Sequence, residues 1–312
     1  MTAYDPRGGL YVGGADFGVP AGTPPAMTPA ELEELVRFEH PAKLLAVAEL
    51  PGAAAVDGAA AYRTDSGTVR ALRRGLRTQV AAAARELLAE GVGGRLPVPP
   101  GATIVALGDS ITDDLLSWAE ILREWLARAR PDDAIAVVNA GVSGDTTADA
   151  LRRLHGVAAC RPELVVTMLG TNDCQRHGPA GAQIAAPDES ARHLAAVADW
   201  LRGTGARLAW ITPPPVIEER LARAVGARPF TLRDADVRAV ARAVHALGDP
   251  VVDLHELFGD PPAGHLLMAD GVHPTLAGQL AIARAVLAAL GSGQDATASS
   301  ASPQTQRGAG KP

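Results

Sequence analysis

Aromatic side chains are scarce in this chain of 312 residues: four Trp, three Tyr and four Phe, 4% in all. Ala, Val, Leu and Ile must therefore fill the interior. The scarcity also counts against a carbohydrate platform, because sugars stack on aromatic faces. Trp118, Trp125, Trp200 and Trp210 all fall in helical or strand-core patterns. Only two cysteines are present, Cys160 and Cys174, without paired metal spacing. That excludes a disulfide-built scaffold, and two free thiols are expected. No apolar run reaches the roughly 18 residues that a membrane helix needs. Dense basic patches are missing and the formal net charge is -6, so nucleic acid is not an expected partner. The opening residues, MTAYDPRGGLYVGG, have neither the basic start nor the apolar stretch of a secretory signal, and a cytoplasmic location is expected.

Familiar signatures are absent as well. No Gly-x-Ser-x-Gly occurs, which argues against a nucleophile elbow of the α/β-hydrolase type. Neither Gly-x-Gly-x-x-Gly nor Gly-x-x-x-x-Gly-Lys occurs, which argues against dinucleotide and phosphate-loop enzymes. His155, His177 and His273 show no metal-ligand spacing, so neither a metal nor another cofactor is expected.

What is present divides the chain into three textures. Residues 1–100 are rich in Gly, Pro and Ala, with helical patches, and read as a helical extension with a linker at 91–101. In TPAELEELVRFEH, Thr28 and Glu31 form a capping box, Pro29 takes the first helical position, and Leu32, Leu35 and Val36 follow at helical spacing. A second amphipathic helix is predicted over 68–90. Residues 101–290 alternate strand and helix, and 291–312 carry no large apolar side chain and read as a disordered tail. In the middle region the runs TIVAL, AIAVV, LVVTML, RLAWI and VVDL are short and rich in β-branched residues, as buried parallel strands are. Five βα units imply a doubly wound sheet with right-handed crossovers. Ligands bind such sheets outside the carboxyl ends of the strands.

The residues after each strand are therefore the ones to weigh. They are Gly108-Asp109-Ser110, then NAGVSGDTT with Gly144, then LGTND with Asn172 and Asp173, then TPPP, and finally ADGVHPT with Asp270 and His273. Taken singly, Ser110 reads as a helix cap, Gly144 as a turn glycine, Asn172-Asp173 as a turn pair and His273 as one histidine of eight. Together on one edge they match the needs of acyl transfer. A serine hydroxyl needs a base, and histidine is the natural base near neutral pH. A carboxylate must orient the imidazole, and fixed N–H donors must meet the oxyanion. Asp270, three residues before His273, suits a compact turn that brings the carboxylate to Nδ1, and Pro274 suits the first turn of the closing helix.

The blocks GDSIT, GVSGDTT, GTND and DGVHPT, in this order, resemble those of the SGNH (GDSL) hydrolase superfamily over roughly residues 102–290. The resemblance implies a flavodoxin-like three-layer α/β/α sandwich. It implies Ser110 as nucleophile, His273 as base and Asp270 as its orienter. The oxyanion hole would be the N–H groups of Ser110 and Gly144 with the Asn172 amide. GDTT and TPPP look most like the thioesterase, lysophospholipase and small-ester esterase branches. Asp109, Asp173, Arg176 and His177 are candidates for lining the substrate pocket. The expected substrate is a small-molecule carboxylic ester, with thioester cleavage or acyl transfer to another alcohol as the alternative and a catalytically silent binding protein as a third reading. Residues 1–100 are not part of the minimal domain of that family and are open to three roles: a helical cap, an added face of the sandwich, or a dimerisation element.

Overall fold

Five parallel strands form the central sheet of the computed structural model, which describes residues 3–5, 9–11, 27–47, 58–93, 96–224 and 230–292. At the N-terminal end, β1 (Ala3–Asp5) and β2 (Gly9–Tyr11) pair antiparallel. Among the described residues four helices follow: α1 (Pro29–Phe38), α2 (Pro41–Val47), α3 (Gly58–Ala61) and the long α4 (Ser66–Ala89). Thr28 and Glu31 form the predicted capping box. Next come β3 (Thr103–Gly108), α5 (Ser110–Asp113), α6 (Trp118–Ala129), β4 (Ala136–Gly141), α7 (Thr147–Arg152), α8 (Leu154–Ala159) and β5 (Leu164–Met168). The chain continues through β6 (Arg176–His177), β7 (Ala182–Gln183), α9 (Pro187–Arg202), β8 (Arg207–Ile211), α10 (Glu218–Ala224), β9 (Phe230–Thr231) and α11 (Asp234–His245). It closes with β10 (Val251–Val252), α12 (Leu254–Phe258) and α13 (Leu276–Ser292).

The sheet order is β10-β8-β5-β3-β4, with every neighbouring pair parallel. The order reverses at β3, so the space above its carboxyl end is the topological switch point. Successive strand side chains point to opposite faces, and this sets the two cores. Ile104, Ala106, Val166, Met168, Ala209 and Ile211 join one apolar cluster. Val105, Leu107, Val165, Leu208 and Trp210 join the other. Helices α7, α9 and α11 cover the second face, while α6 and α13 cover the first. This is the three-layer sandwich. The N-terminal helices add to the first face: α4 packs on α6, and its Leu76, Val80 and Leu87 share one continuous cluster with Trp118, Trp125 and Ile104.

Several boundaries differ from the sequence reading. AIAVV begins too early, because a 3-10 turn at Pro131–Asp133 ends in left-handed Ala134 (φ 50°), so β4 starts at Ala136. VVDL is cut to two residues, because Asp253 caps α12 and its side chain accepts from the N–H groups of His255 and Glu256. Pro274 lies ahead of the closing helix, where Thr275 accepts from the N–H of Gly278. A three-stranded antiparallel sheet, β7-β6-β9, occupies part of what reads as loop. The predicted tail overlaps α13 as far as Ser292, and its remainder lies outside the described residues. Cys160 and Cys174 are free thiols. Among the described residues no helix is long and apolar enough to cross a membrane.

Candidate active site

The site grows from the end of β3. Asp109 is extended (φ -99°, ψ -151°) and caps α5, accepting from the N–H of Ile111 at 3.0 Å. The cap is thus Asp109, and Ser110 is the first helical residue, whose backbone N–H has no intrahelical partner. That leaves the serine hydroxyl free to face outward, where Oγ lies 2.9 Å from His273 Nε2. His273 Nδ1 lies 2.6 Å from Asp270 Oδ2. The other oxygen of Asp270 accepts from the backbone N–H groups of Val272 at 3.0 Å and His273 at 3.1 Å. A three-residue separation thus suffices to hold imidazole and carboxylate in one rigid turn. Arg220 braces that turn from below, donating to the carbonyls of Gly264, Leu267 and Met268.

The electrostatics follow from burial and partners. Burial pulls the His273 imidazole down, but the hydrogen bond and charge of Asp270, with Asp109 and Asp114 further off, outweigh it and hold the ring above its ordinary value. Burial pushes the Asp270 carboxyl up, yet His273 and the two N–H donors win and hold it below the usual range. Asp109 behaves differently. It is fully buried, one carboxylate oxygen has no partner, and burial pushes its carboxyl up to about 7 against the pull of the Ile111 N–H.

Two neighbouring strand ends bring further donors to the same edge. Gly144, exposed and at φ 86°, follows β4 in a turn that favours glycine. Asn172 follows β5. Its Nδ2 donates to the Asp145 carbonyl at 2.9 Å and its Oδ1 accepts from Gln175 Nε2 at 2.8 Å. The amide is oriented by these bonds, and Nδ2 keeps a second hydrogen. Arg153, which nothing in the sequence singles out, is buried beneath this edge. It donates to Asp145 Oδ2 at 2.5 Å, the Ala140 carbonyl at 2.6 Å and the Gly108 carbonyl at 3.0 Å. One guanidinium therefore ties the ends of β3 and β4 to the Gly144–Asp145 turn. Nothing in the sequence separates it from Arg152, which is solvent-exposed.

The pocket-lining candidates are placed less uniformly. Asp109 and Asp173 are both fully buried and point into the protein. Asp173 accepts from the Thr147 N–H and hydroxyl and from the Ser190 hydroxyl, so it fastens α7 and α9 instead of facing a ligand. Arg176 is engaged by both oxygens of Asp236, by the Gly181 carbonyl and by Gln183. Only His177 is exposed, and its ring stacks on Phe230. A loop position in the sequence does not say which way a side chain points, and three of these four turn inward or onto a structural partner.

The N-terminal region, for which a helical cap is one of the three roles open in sequence, reaches this edge directly. The Phe38 ring lies 4.7 Å from the His273 ring, centroid to centroid. Arg37 donates through Nε and Nη2 to the two oxygens of Asp114 at 3.0 and 2.6 Å. His40 and Lys43 both meet Asp113 Oδ1, and Lys43 also donates to the Gly141 carbonyl at 2.7 Å.

A hydroxyl bonded to an imidazole, and an imidazole bonded to a carboxylate, can together activate an oxygen nucleophile, and the Ser110, Gly144 and Asn172 N–H groups follow the ends of three neighbouring strands of one sheet. The sequence profile of the GDSL-like lipase/acylhydrolase family matches residues 106–281, which span all of these groups. The chain belongs to that family. As a GDSL hydrolase it is a carboxylic ester hydrolase, and its curated relatives include esterase TesA of Pseudomonas aeruginosa, 33% identical over 185 residues that span 57% of this chain and 82% of the relative. Among solved structures, this GDSL hydrolase shares its fold with LAE5, an α/β hydrolase from the metagenome of Lake Arreo, at 24% identity and a TM-score of 0.50. The match covers 63% of this chain and 98% of LAE5. An acetyl xylan esterase from Geobacillus stearothermophilus matches at 23% identity and a TM-score of 0.50, with 62% of this chain and 96% of that chain covered.

Proposed function

We propose that this chain hydrolyses small carboxylic esters, with a short acyl or O-acetyl group, through an acyl-serine intermediate, and that residues 101–290 form the hydrolase unit. The observation that carries the reading is the relay from Ser110 Oγ to His273 Nε2 at 2.9 Å and from His273 Nδ1 to Asp270 Oδ2 at 2.6 Å. Both distances lie within reach for proton transfer and for orienting the base. Ser110 Oγ attacks the ester carbonyl carbon while its proton passes to His273 Nε2. The carbonyl oxygen becomes an oxyanion, met by the N–H groups of Ser110 and Gly144 and by the Asn172 amide. Collapse breaks the bond to the alkoxy oxygen, and His273 returns its proton so that the alcohol leaves neutral. Water then repeats the sequence on the acyl-serine, releasing the acid and restoring the hydroxyl. Asp270 stays ionised throughout and stabilises the imidazolium.

The likeness to an esterase relative supports the ester as substrate class. The test is turnover of p-nitrophenyl acetate by the parent and by Ser110→Ala, with a fluorophosphonate reagent followed by mass mapping. Turnover by the parent, loss in the variant and labelling confined to Ser110 are expected. Full activity in Ser110→Ala refutes the mechanism. An added acceptor alcohol and an acyl-CoA substrate separate hydrolysis from acyl transfer and thioester cleavage.

A further inference from the structure

The N-terminal arm lies outside the span that matches the family, which begins at residue 106. Its contacts nevertheless concentrate on the groups that surround Ser110. Phe38 is about nine-tenths buried, and its ring is tilted 49° against the imidazole of His273. The Arg37 guanidinium sits 4.9 Å from the centroid of the Phe38 ring, and Arg37 is held by Asp114. The backbone is fastened too: the N–H of Leu115 donates to the Arg37 carbonyl at 3.2 Å, and the Ser143 hydroxyl donates to the Phe38 carbonyl. The Asp113 carboxylate divides its two oxygens. Oδ1 meets His40 and Lys43, while Oδ2 accepts from the Ser143 N–H at 3.1 Å and lies 3.2 Å from its hydroxyl oxygen. Ser143 is the residue before Gly144. Burial pushes the Asp113 carboxyl up, but His40 and Lys43 overcome this and hold it ionised below the usual range.

We propose that the arm from Arg37 to Lys43 is a working part of the active site, in which Phe38 positions the His273 imidazole while His40 and Lys43, acting through Asp113, position the turn that carries Gly144. The proposal rests on the acyl-serine reading given above. Phe38 covers one side of the base, so the ring cannot swing away from Ser110 and water is excluded there. The Lys43 ammonium and the His40 hydrogen bond keep Asp113 charged, and a charged acceptor holds the Ser143 N–H more firmly than a neutral one. The Gly144 N–H is then aimed before the oxyanion forms, and an oxyanion donor acts mainly in the transition state.

The test compares kcat, KM and the pH profile of p-nitrophenyl acetate hydrolysis in the full-length parent, Phe38→Ala, Phe38→Leu and Lys43→Met, with thermal melts for each. Phe38→Ala should lower kcat about 10-fold with KM within about twofold, the pattern of a lost transition-state interaction. Its acid limb of kcat/KM should move to higher pH, because water solvates an imidazolium better than a benzene ring does. Asp270, Asp109, Asp114 and Arg37, the charged groups around the ring, are unchanged in that variant. Phe38→Leu restores apolar cover and should recover most of both effects. Lys43→Met should lower kcat several-fold at constant KM. If Phe38→Ala and Lys43→Met fold and keep the parent kcat and acid limb, the arm is only a structural cover and the proposal is overturned. Should Phe38→Ala fail to fold, Lys43→Met, which removes no core volume, decides alone. Ser110→Ala runs beside them: activity retained there defeats the acyl-serine reading, whereas activity lost there with silent arm variants defeats only the proposal about the arm.

Discussion

The sheet edge and the N-terminal arm meet at one imidazole, but only the edge residues sit in short motifs that can be read along the chain. On the edge Ser110, Gly144 and Asn172 lie two to four residues past β3, β4 and β5, and Asp270 and His273 sit three apart in one turn well beyond β10. The arm's contacts with the edge are distant in sequence: Lys43 reaches Gly141 across 98 residues, and Ser143 reaches Phe38 across 105. The difference teaches where chemistry and support reside. In the proposed mechanism the edge carries the reacting groups. The arm is proposed to carry none and to act by holding residues of the edge in place.

Mutations can break or sharpen this contrast. The largest effect belongs to the edge. Asp270→Asn should cost about 10⁴-fold in kcat, because the imidazole loses its orienting carboxylate. The acid limb of kcat/KM should also move to lower pH, since Asp270 is what holds His273 above its ordinary value. A limb that stays in place would show that the carboxylate does not govern the base. Next, Asn172→Ala should lower kcat about 10²–10³-fold with modest change in KM. A loss confined to KM would place the amide in ground-state binding instead.

A third prediction concerns stability at the edge. Asp109 sits at about 7 in the fold, against about 3.9 for an unfolded chain. Between those values the folded protein binds the extra proton, so stability is lost as pH rises from about 4 to about 7 and stays lost above that. Asp109→Asn removes the titration, on the order of a few kcal/mol. Melting curves should therefore favour the variant progressively from pH 4 to pH 8; parallel curves would contradict the buried, neutral-leaning carboxyl. The smallest effect belongs to a surface contact of the N-terminal region. Arg284 on α13 bridges Glu86 and Glu90 across to α4 at 3.4 and 2.7 Å, in the open. Arg284→Ala should leave kcat and Tm unchanged within error. If it mimicked Phe38→Ala, the special role of residues 37–43 would dissolve into general N-terminal stability.

Much of this was legible in the chain. Five apolar runs mark five strands, and the alternation that divides Ile104 and Ala106 from Val105 and Leu107 is a local property of extended backbone. The capping box at Thr28 is equally local. Two-residue strands such as β6, β7 and β9 have no periodicity to read, so their small sheet is visible only when folded. Arg153 and Arg152 are adjacent and identical in type, and only the fold buries one.

Patterns along the chain are enough to mark the five long apolar runs, the helices between them, Ser110, Gly144 and Asn172 just past strand ends, and the Asp270–His273 pair, because these depend on neighbours within a few residues. Folding in three dimensions is what buries Asp109 beneath the helix it caps, engages Asp173 and Arg176 with structural partners, and lays Phe38 against His273. Those outcomes depend on side-chain direction and on contacts across the core, and neither is encoded at any one place along the chain.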